Sequence, residues 1–181
     1  MKKFITIAGV CCVLPLIIIG VIFLSRGTQE PPSPLTTTTG TSISNVAPDF
    51  ELTDIEHKLI KKDDLKNKPV IVWFTASYCV PCQIGAKEVR RLDEDLGGNK
   101  FDVVMVFIDL NETVEDLQWW RDNFAGQDWK IAFGNQKIID DYKIRFLDTQ
   151  YLLDKDGVIK NIANSNVGYE GYEQKLQPLI Q

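Results

Sequence analysis

The apolar positions of this chain divide it into three parts. An uncharged run from Phe4 to Leu24 is long enough to cross the ~30 Å hydrocarbon core of a membrane as a helix. The next residues are rich in Thr, Ser and Pro with little to bury, which predicts a flexible linker. From Ala47 onward the apolar pattern becomes periodic. The predicted organisation is an N-terminal transmembrane anchor over 1–26, a linker over 27–46 and a folded domain over 47–181.

Two stretches of the folded part are nearly continuous in β-branched and aromatic residues. They run from Pro69 to Phe74 and from Phe101 to Ile108, and such runs predict strands buried on both faces. Between them, apolar residues recur at helical spacing from Val80 until Gly97-Gly98. A strand, a helix and a second buried strand predict a parallel pair with a right-handed crossover, and hence an α/β domain.

Local signals predict the remaining elements. Thr113, with Asp116 three positions later, is typical of a helix N-terminus. Residues 136–142 predict a short helix, and Asp156-Gly157 predicts the turn of a β-hairpin. A last helix is predicted over about 169–180.

Charge bears on location more than on fold. The formal net charge is -5, so the chain lacks the basic surplus that would indicate a nucleic-acid partner. Lys2, Lys3 and Arg26 flank the apolar run, which favours a single-pass protein of the cell membrane with a cytoplasmic N-terminus and an extracytoplasmic domain. A cleaved signal peptide is the alternative, although its apolar region is usually about 7 to 15 residues long.

Cys79 and Cys82 lie between the first predicted strand and its helix. A zinc site needs four ligands, and the exported part offers only His57 besides the pair. A structural disulfide closing so short a loop would stabilise little. At the helix start, however, free N–H groups and the helix dipole stabilise a Cys79 thiolate, while Cys82 lies one turn on, on the buried face. With Pro81 tolerated early in the helix, the pair suits disulfide exchange, in which Cys79 attacks and Cys82 resolves.

Three segments carry a family resemblance: APDFELTDIE, KNKPVIVWFTASYCVPC and YKIRFLDTQYLLDKDGVI. From about Asn45 to its end the chain resembles the thioredoxin superfamily, specifically the membrane-anchored, exported thiol-disulfide oxidoreductases of the TlpA and ResA type. The resemblance implies a thioredoxin-like fold, with a central mixed sheet flanked by helices, and a redox-active Cys79–Cys82 disulfide with no other cofactor. Implied partners are protein thiols or disulfides outside the cytoplasm and a membrane protein that donates or accepts electrons. A monomer and a role in cytochrome c maturation are also implied, whereas the direction of electron flow stays open.

The chain departs from this family at the cis-proline that faces the cysteine pair. Asp148 stands there, and no proline occurs between Pro81 and Pro178. A cis bond before a residue other than proline costs about 3–4 kcal/mol, so the bond before Asp148 is expected to be trans. The family's loop holds the substrate chain, so Leu147 and Thr149 are expected to bind substrate. Two interpretations of Asp148 stay open: a carboxylate near the sulfurs, or one pointing into solvent.

Other departures concern proton transfer. The resemblance to thioredoxins implies a buried Asp six residues before the first cysteine, with a Lys partner on the next strand. In this chain Trp73 and Met105 occupy those two positions. Gly85 replaces a carboxylate found in some relatives, and Lys87 replaces a helix proline. By elimination, Asp148 is the remaining acid–base candidate near the pair.

Rival functions are weighed on single residues. A peroxidase site of the peroxiredoxin type would need Pro and Thr where Val72 and Ala76 stand, so that function is rejected. A catalytically impaired thioredoxin-like binding module is the serious alternative, since the cis-proline is absent.

Tyr78 replaces the family's Trp, and its ring either covers a bound partner or packs on its own domain. Asn111 begins a glycosylation sequon, whose use the sequence leaves open.

Overall fold

The structure is a computed structural model that describes residues 38–180. The predicted anchor and most of the predicted linker lie outside these residues, so both stay predictions. The strands are β1 (Glu51–Thr53), β2 (Leu59–Lys61), β3 (Val70–Thr75), β4 (Asp102–Phe107), β5 (Lys130–Phe133), β6 (Thr149–Leu153) and β7 (Ile159–Ala163). The α-helices are α1 (Val80–Asp95), α2 (Val114–Phe124), α3 (Gln136–Asp141) and α4 (Gly168–Leu176), and a 3₁₀ helix spans Lys62–Leu65.

Five strands form one mixed sheet in the order β5-β4-β3-β6-β7. Strands β3, β4 and β5 are parallel, whereas β6 runs antiparallel to β3 and to β7. The β3-α1-β4 unit confirms the predicted parallel pair, with Val72 opposite Val104. Strands β1 and β2 form a separate antiparallel hairpin. The expected central mixed sheet flanked by helices is therefore confirmed.

Strand β3 is buried on both faces because each face of the sheet carries its own core. On one face, Ile71 and Trp73 pack with side chains of α1, α2 and α4. On the other face, Val72 and Phe74 pack with α3 and the segment that leads into β1. The carboxyl end of this central strand is therefore fixed from both sides, and the cysteine pair follows directly from it.

The predicted helix boundaries are largely confirmed. Thr113 caps α2 through a capping box with Asp116. Helix α4 ends at Leu176, earlier than predicted, because Pro178 has no N–H to continue the helical hydrogen bonds. Strands β1, β2 and β5 were not predicted, since three or four residues are too few to show a period.

Among the described residues, no helix combines the length and the apolar character that crossing a membrane requires.

Candidate active site around the Cys79–Cys82 disulfide

The two cysteines lie at the junction of β3 and α1. Cys79 is the N-cap of α1 and Cys82 lies within its first turn, with their Cα atoms 5.3 Å apart and a disulfide joining them. Cys79 keeps 7% of its surface exposed, whereas Cys82 is fully buried. The sulfur that a partner can reach is therefore that of Cys79, as the helical pattern predicted.

Backbone hydrogen bonds hold this junction in one conformation. The N–H of Cys79 donates to the carbonyl of Ala76 at 3.0 Å, and the N–H of Gln83 donates to the carbonyl of Cys79 at 3.0 Å. The side chain of Gln83 also donates to the carbonyl of Ser77 at 2.7 Å. The first turn of α1 contains Pro81 and no acidic residue, so the positive end of its dipole faces Cys79 without an opposing charge from the same turn.

Tyr78 extends outward beside the pair. Its side chain is 61% exposed, and its hydroxyl donates to Asp109 Oδ2 at 3.0 Å. The hydrogen bond to Asp109 is the main cause that raises the pKa of Tyr78. Only the hydroxyl is tied to its own domain, so the ring is free to contact a partner protein.

A second carboxylate, besides Asp148, lies against the turn that leads to Cys79. Glu112 follows β4, and its Oε1 accepts a hydrogen bond from the backbone N–H of Ser77. Its Oε2 is buried and has no hydrogen-bond partner among the described residues. Burial raises the pKa of Glu112 above its ordinary 4.5, hydrogen bonds from Ser77 oppose that shift in part, and the charges of Asp109 and Asp116 add to it. A carboxyl group with a raised pKa thus contacts the turn that leads to Cys79.

Asp148 points into the protein, so the interpretation that it faces solvent is wrong. Its side chain is 5% exposed, and Oδ1 accepts hydrogen bonds from Trp73 Nε1 and Gln150 Nε2, both at 2.9 Å. Its Oδ2 accepts from the backbone N–H of Asn166 at 2.8 Å. The bond before Asp148 is trans, as expected, and its φ of 63° is one that proline cannot adopt. The backbone of this loop therefore differs in conformation from a cis-proline loop, and Asp148 is not a simple substitution for the proline.

Trp73 explains a second departure in the same place. A Cβ at Gly85 would lie 2.9 Å from Cη2 of Trp73 and 3.1 Å from the hydroxyl of Tyr172. No side chain fits there without displacing the indole or the tyrosine, so the carboxylate of some relatives has no room. Lys87, at the place of the helix proline, lies over the ring of Phe124 at 5.0 Å. Trp73, Gly85 and Asp148 are thus parts of one packing arrangement.

The residues expected to bind substrate lie on both sides of Asp148. Leu147 is half-buried and packs against the core that contains both cysteines. Thr149 is buried, and its hydroxyl donates to the carbonyl of Phe146 at 2.7 Å. Since its side chain points inward, Thr149 can offer a partner only its backbone. Phe146, which the sequence did not single out, is 67% exposed.

Comparisons with known proteins agree with this geometry. A family model described as the AhpC/TSA family matches residues 43–162, so the chain belongs to that family. The thiol-disulfide oxidoreductase ResA of a Bacillus cereus strain is 35% identical over 144 residues, covering 75% of this chain and 79% of that protein. ResA of Bacillus thuringiensis (strain Al Hakam) is 33% identical over 141 residues, with the same coverage of 75% and 79%.

A solved structure supports the fold independently. The thiol:disulfide interchange protein of Chlorobium tepidum TLS, a thioredoxin family protein, matches with a TM-score of 0.65 over 75% of this chain and 95% of that chain. At 16% identity this match shows the fold alone. Together with the ResA relatives it confirms the resemblance: within its family, the chain is a thioredoxin-like thiol-disulfide oxidoreductase of the ResA type.

Two features of the site were not predicted from the sequence. In the sequence, Glu112 is the middle residue of the sequon that begins at Asn111. It also follows β4, and the carboxyl end of β4 lies beside that of β3 because the two strands are parallel neighbours. That adjacency was the signal that could have found it. The hydrogen bond between Trp73 and Asp148 has no signal in the sequence, because the two residues are 75 positions apart in the chain.

We expect Glu112→Gln to change how stability depends on pH. The folded pKa of Glu112 is raised, so its contribution to stability is full below the unfolded value, about 4.3, and is lost as pH rises through the folded value. Glutamine keeps an acceptor for Ser77 and has no charge to bury. From about pH 4 to 7 the variant should therefore gain stability relative to wild type, as measured by denaturant midpoints at each pH.

Glu115→Gln is the matched control, because Glu115 is exposed in the first turn of α2, shortly after Glu112 in the chain. Its stability difference from wild type should stay nearly constant over this pH range. If Glu112→Gln behaved in the same way, or lost stability relative to wild type as pH rises, burial of the Glu112 charge would be ruled out.

Proposed function

We propose that this chain is a membrane-tethered, extracytoplasmic enzyme that exchanges disulfides with proteins through Cys79 and Cys82. The observation that carries the proposal is the asymmetry of the pair: a reachable sulfur at the helix N-cap and a buried one in the first turn. A catalytic pair needs one sulfur for the partner and one for resolution, whereas a structural bridge has no use for the difference.

The reaction moves two electrons in two exchange steps. The thiolate of reduced Cys79 attacks one sulfur of a substrate disulfide, which forms a mixed disulfide and releases the other substrate sulfur, to be protonated. Cys82 then loses its proton and attacks the Cys79 sulfur. The second substrate thiol leaves, the Cys79–Cys82 disulfide forms, and the substrate has been reduced. Glu112, beneath the Cys79 turn, is placed to exchange protons as thiolates form and disappear.

The outer surface supplies contacts for a protein partner. Tyr78 and Val80 adjoin Cys79 in the chain, and Phe146 lies in the loop that contains Asp148; these large side chains are exposed by 61%, 58% and 67%. With Leu147 they offer an apolar rim, which suits a polypeptide substrate better than a small thiol. Following the family resemblance of the sequence, we propose that the enzyme supplies electrons to exported proteins that contain cysteines, such as apocytochromes c, and that a membrane protein reduces it again.

Reduction of insulin by the purified full-length chain in detergent, with dithiothreitol as donor, tests the activity. Cys79→Ser should abolish the catalysed rate, since the attacking sulfur is gone. Cys82→Ser, reduced and then mixed with insulin after dithiothreitol has been removed, should accumulate a covalent complex that added dithiothreitol releases. Cys11→Ser with Cys12→Ser, the other two cysteines, is the control and should keep the rate. If the wild-type rate were no higher than background and Cys79→Ser did not lower it, the proposed enzymatic activity would be refuted. The alternative, a thioredoxin-like binding module, would then be favoured.

Placement is tested separately, because it is inferred from the apolar run and its flanking charges. In bacterial protoplasts that express the full chain, protease added outside should digest residues 47–181, while the chain fractionates with membranes beforehand. A domain that stays protected while the protoplasts are intact and is digested after lysis would contradict the extracytoplasmic placement.

A further inference from the structure

The carboxylate of Asp148 is buried behind the active-site helix without a cation. Its three hydrogen-bond donors are the indole of Trp73, the carboxamide of Gln150 and the backbone N–H of Asn166, all of them neutral. Each donates to Asp148, so both oxygens of this side chain act as acceptors. Within residues 38–180, Asp148 takes part in no ion pair, although twelve exist elsewhere.

The carboxylate lies on the same side of the sheet as the cysteine pair. Trp73 packs in the core cluster that contains Cys79 and Cys82, on the face covered by α1 and α4. Thr149 is paired with Phe74 near the end of β3, so Asp148 comes next to Thr75, from which the chain leads to Cys79. The charge is therefore shielded from solvent on the cysteine side of the sheet, and the indole that donates to it packs against Gly85 in the second turn of α1.

We propose that Asp148 is a positioning residue whose buried charge, held in place by Trp73, makes the cysteine couple a stronger reductant. A charge that is neither solvated nor paired acts over a longer range than one at the surface. It disfavours a thiolate in the reduced pair and so opposes the helix dipole. Couples whose reduced form is less stabilised have lower potentials, so the disulfide form is favoured and electrons are given up more readily. This inference rests on the proposed redox function.

Asp148→Asn is the direct test, because asparagine tolerates the positive φ and removes the charge with little change in shape. We expect equilibration of the full-length chain with dithiothreitol to shift toward the reduced pair by about tenfold, equivalent to about 30 mV for a two-electron couple. Asp156→Asn makes the same charge change at an exposed hairpin residue and should leave the equilibrium constant within about twofold of wild type, since solvent screens it.

Two more variants separate charge from structure. Trp73→Phe removes one donor and keeps the carboxylate, so it should not make the couple easier to reduce. Gln150→Lys should do so, in the same direction as Asp148→Asn, because an ammonium group would replace the Gln150 donor that lies 2.9 Å from Oδ1. This second variant keeps the test open if Asp148→Asn does not fold.

The outcomes are distinguishable. A folded Asp148→Asn variant within about twofold of the wild-type equilibrium constant, or shifted the other way, would overturn the inference, as would equal shifts in Asp148→Asn and Trp73→Phe. If Asp148→Asn does not fold, a Gln150→Lys variant without the shift would overturn it. Failure of the wild-type pair to equilibrate with dithiothreitol at all would instead overturn the proposed function.

Discussion

The hydrogen bond from the Trp73 indole to the Asp148 carboxylate is the constraint that organises this site. It joins the central strand to the loop before β6, and the same carboxylate reaches the segment before α4 through Asn166. Because the indole fills the space under α1, position 85 must be glycine. Three residues that depart from the family one by one are therefore mutually required: the ring needs room, its N–H needs an acceptor, and the acceptor needs further donors once it is buried.

The backbone at the start of α1 and the nearby carboxyl side chains have different effects on the charge of Cys79. The N-terminus of α1 favours a thiolate on Cys79, and no acidic residue in its first turn weakens that effect. Asp148, which is buried and accepts three hydrogen bonds, is proposed to act against it, whereas burial raises the pKa of Glu112 and so favours the neutral form of that carboxyl. Under the proposal above, the redox balance of the couple depends on a residue far from both cysteines in the chain.

The sequence predicted what depends on local patterns and missed what depends on distant contacts. Helix α1, the parallel pair and the β6–β7 hairpin follow from periodicity and turn residues, and the cysteine pair follows from its place in them. Glu112 contacts a residue 35 positions away and Asp148 one 75 positions away, so no window along the chain could pair them. Trp73 is also more than the absence of a buried acid, because its indole N–H donates a hydrogen bond to Asp148.

A double-mutant cycle tests the central interaction most directly. The free energy of unfolding would be measured by denaturant titration for wild type, Trp73→Phe, Asp148→Ala and the double variant. The cost of alanine at a positive φ occurs in both arms of the cycle and cancels. A hydrogen bond to a charged group predicts a coupling of about 1.5–3 kcal/mol. Effects that add to within about 0.5 kcal/mol would contradict the account, because Trp73 and Asp148 would then be independent neighbours.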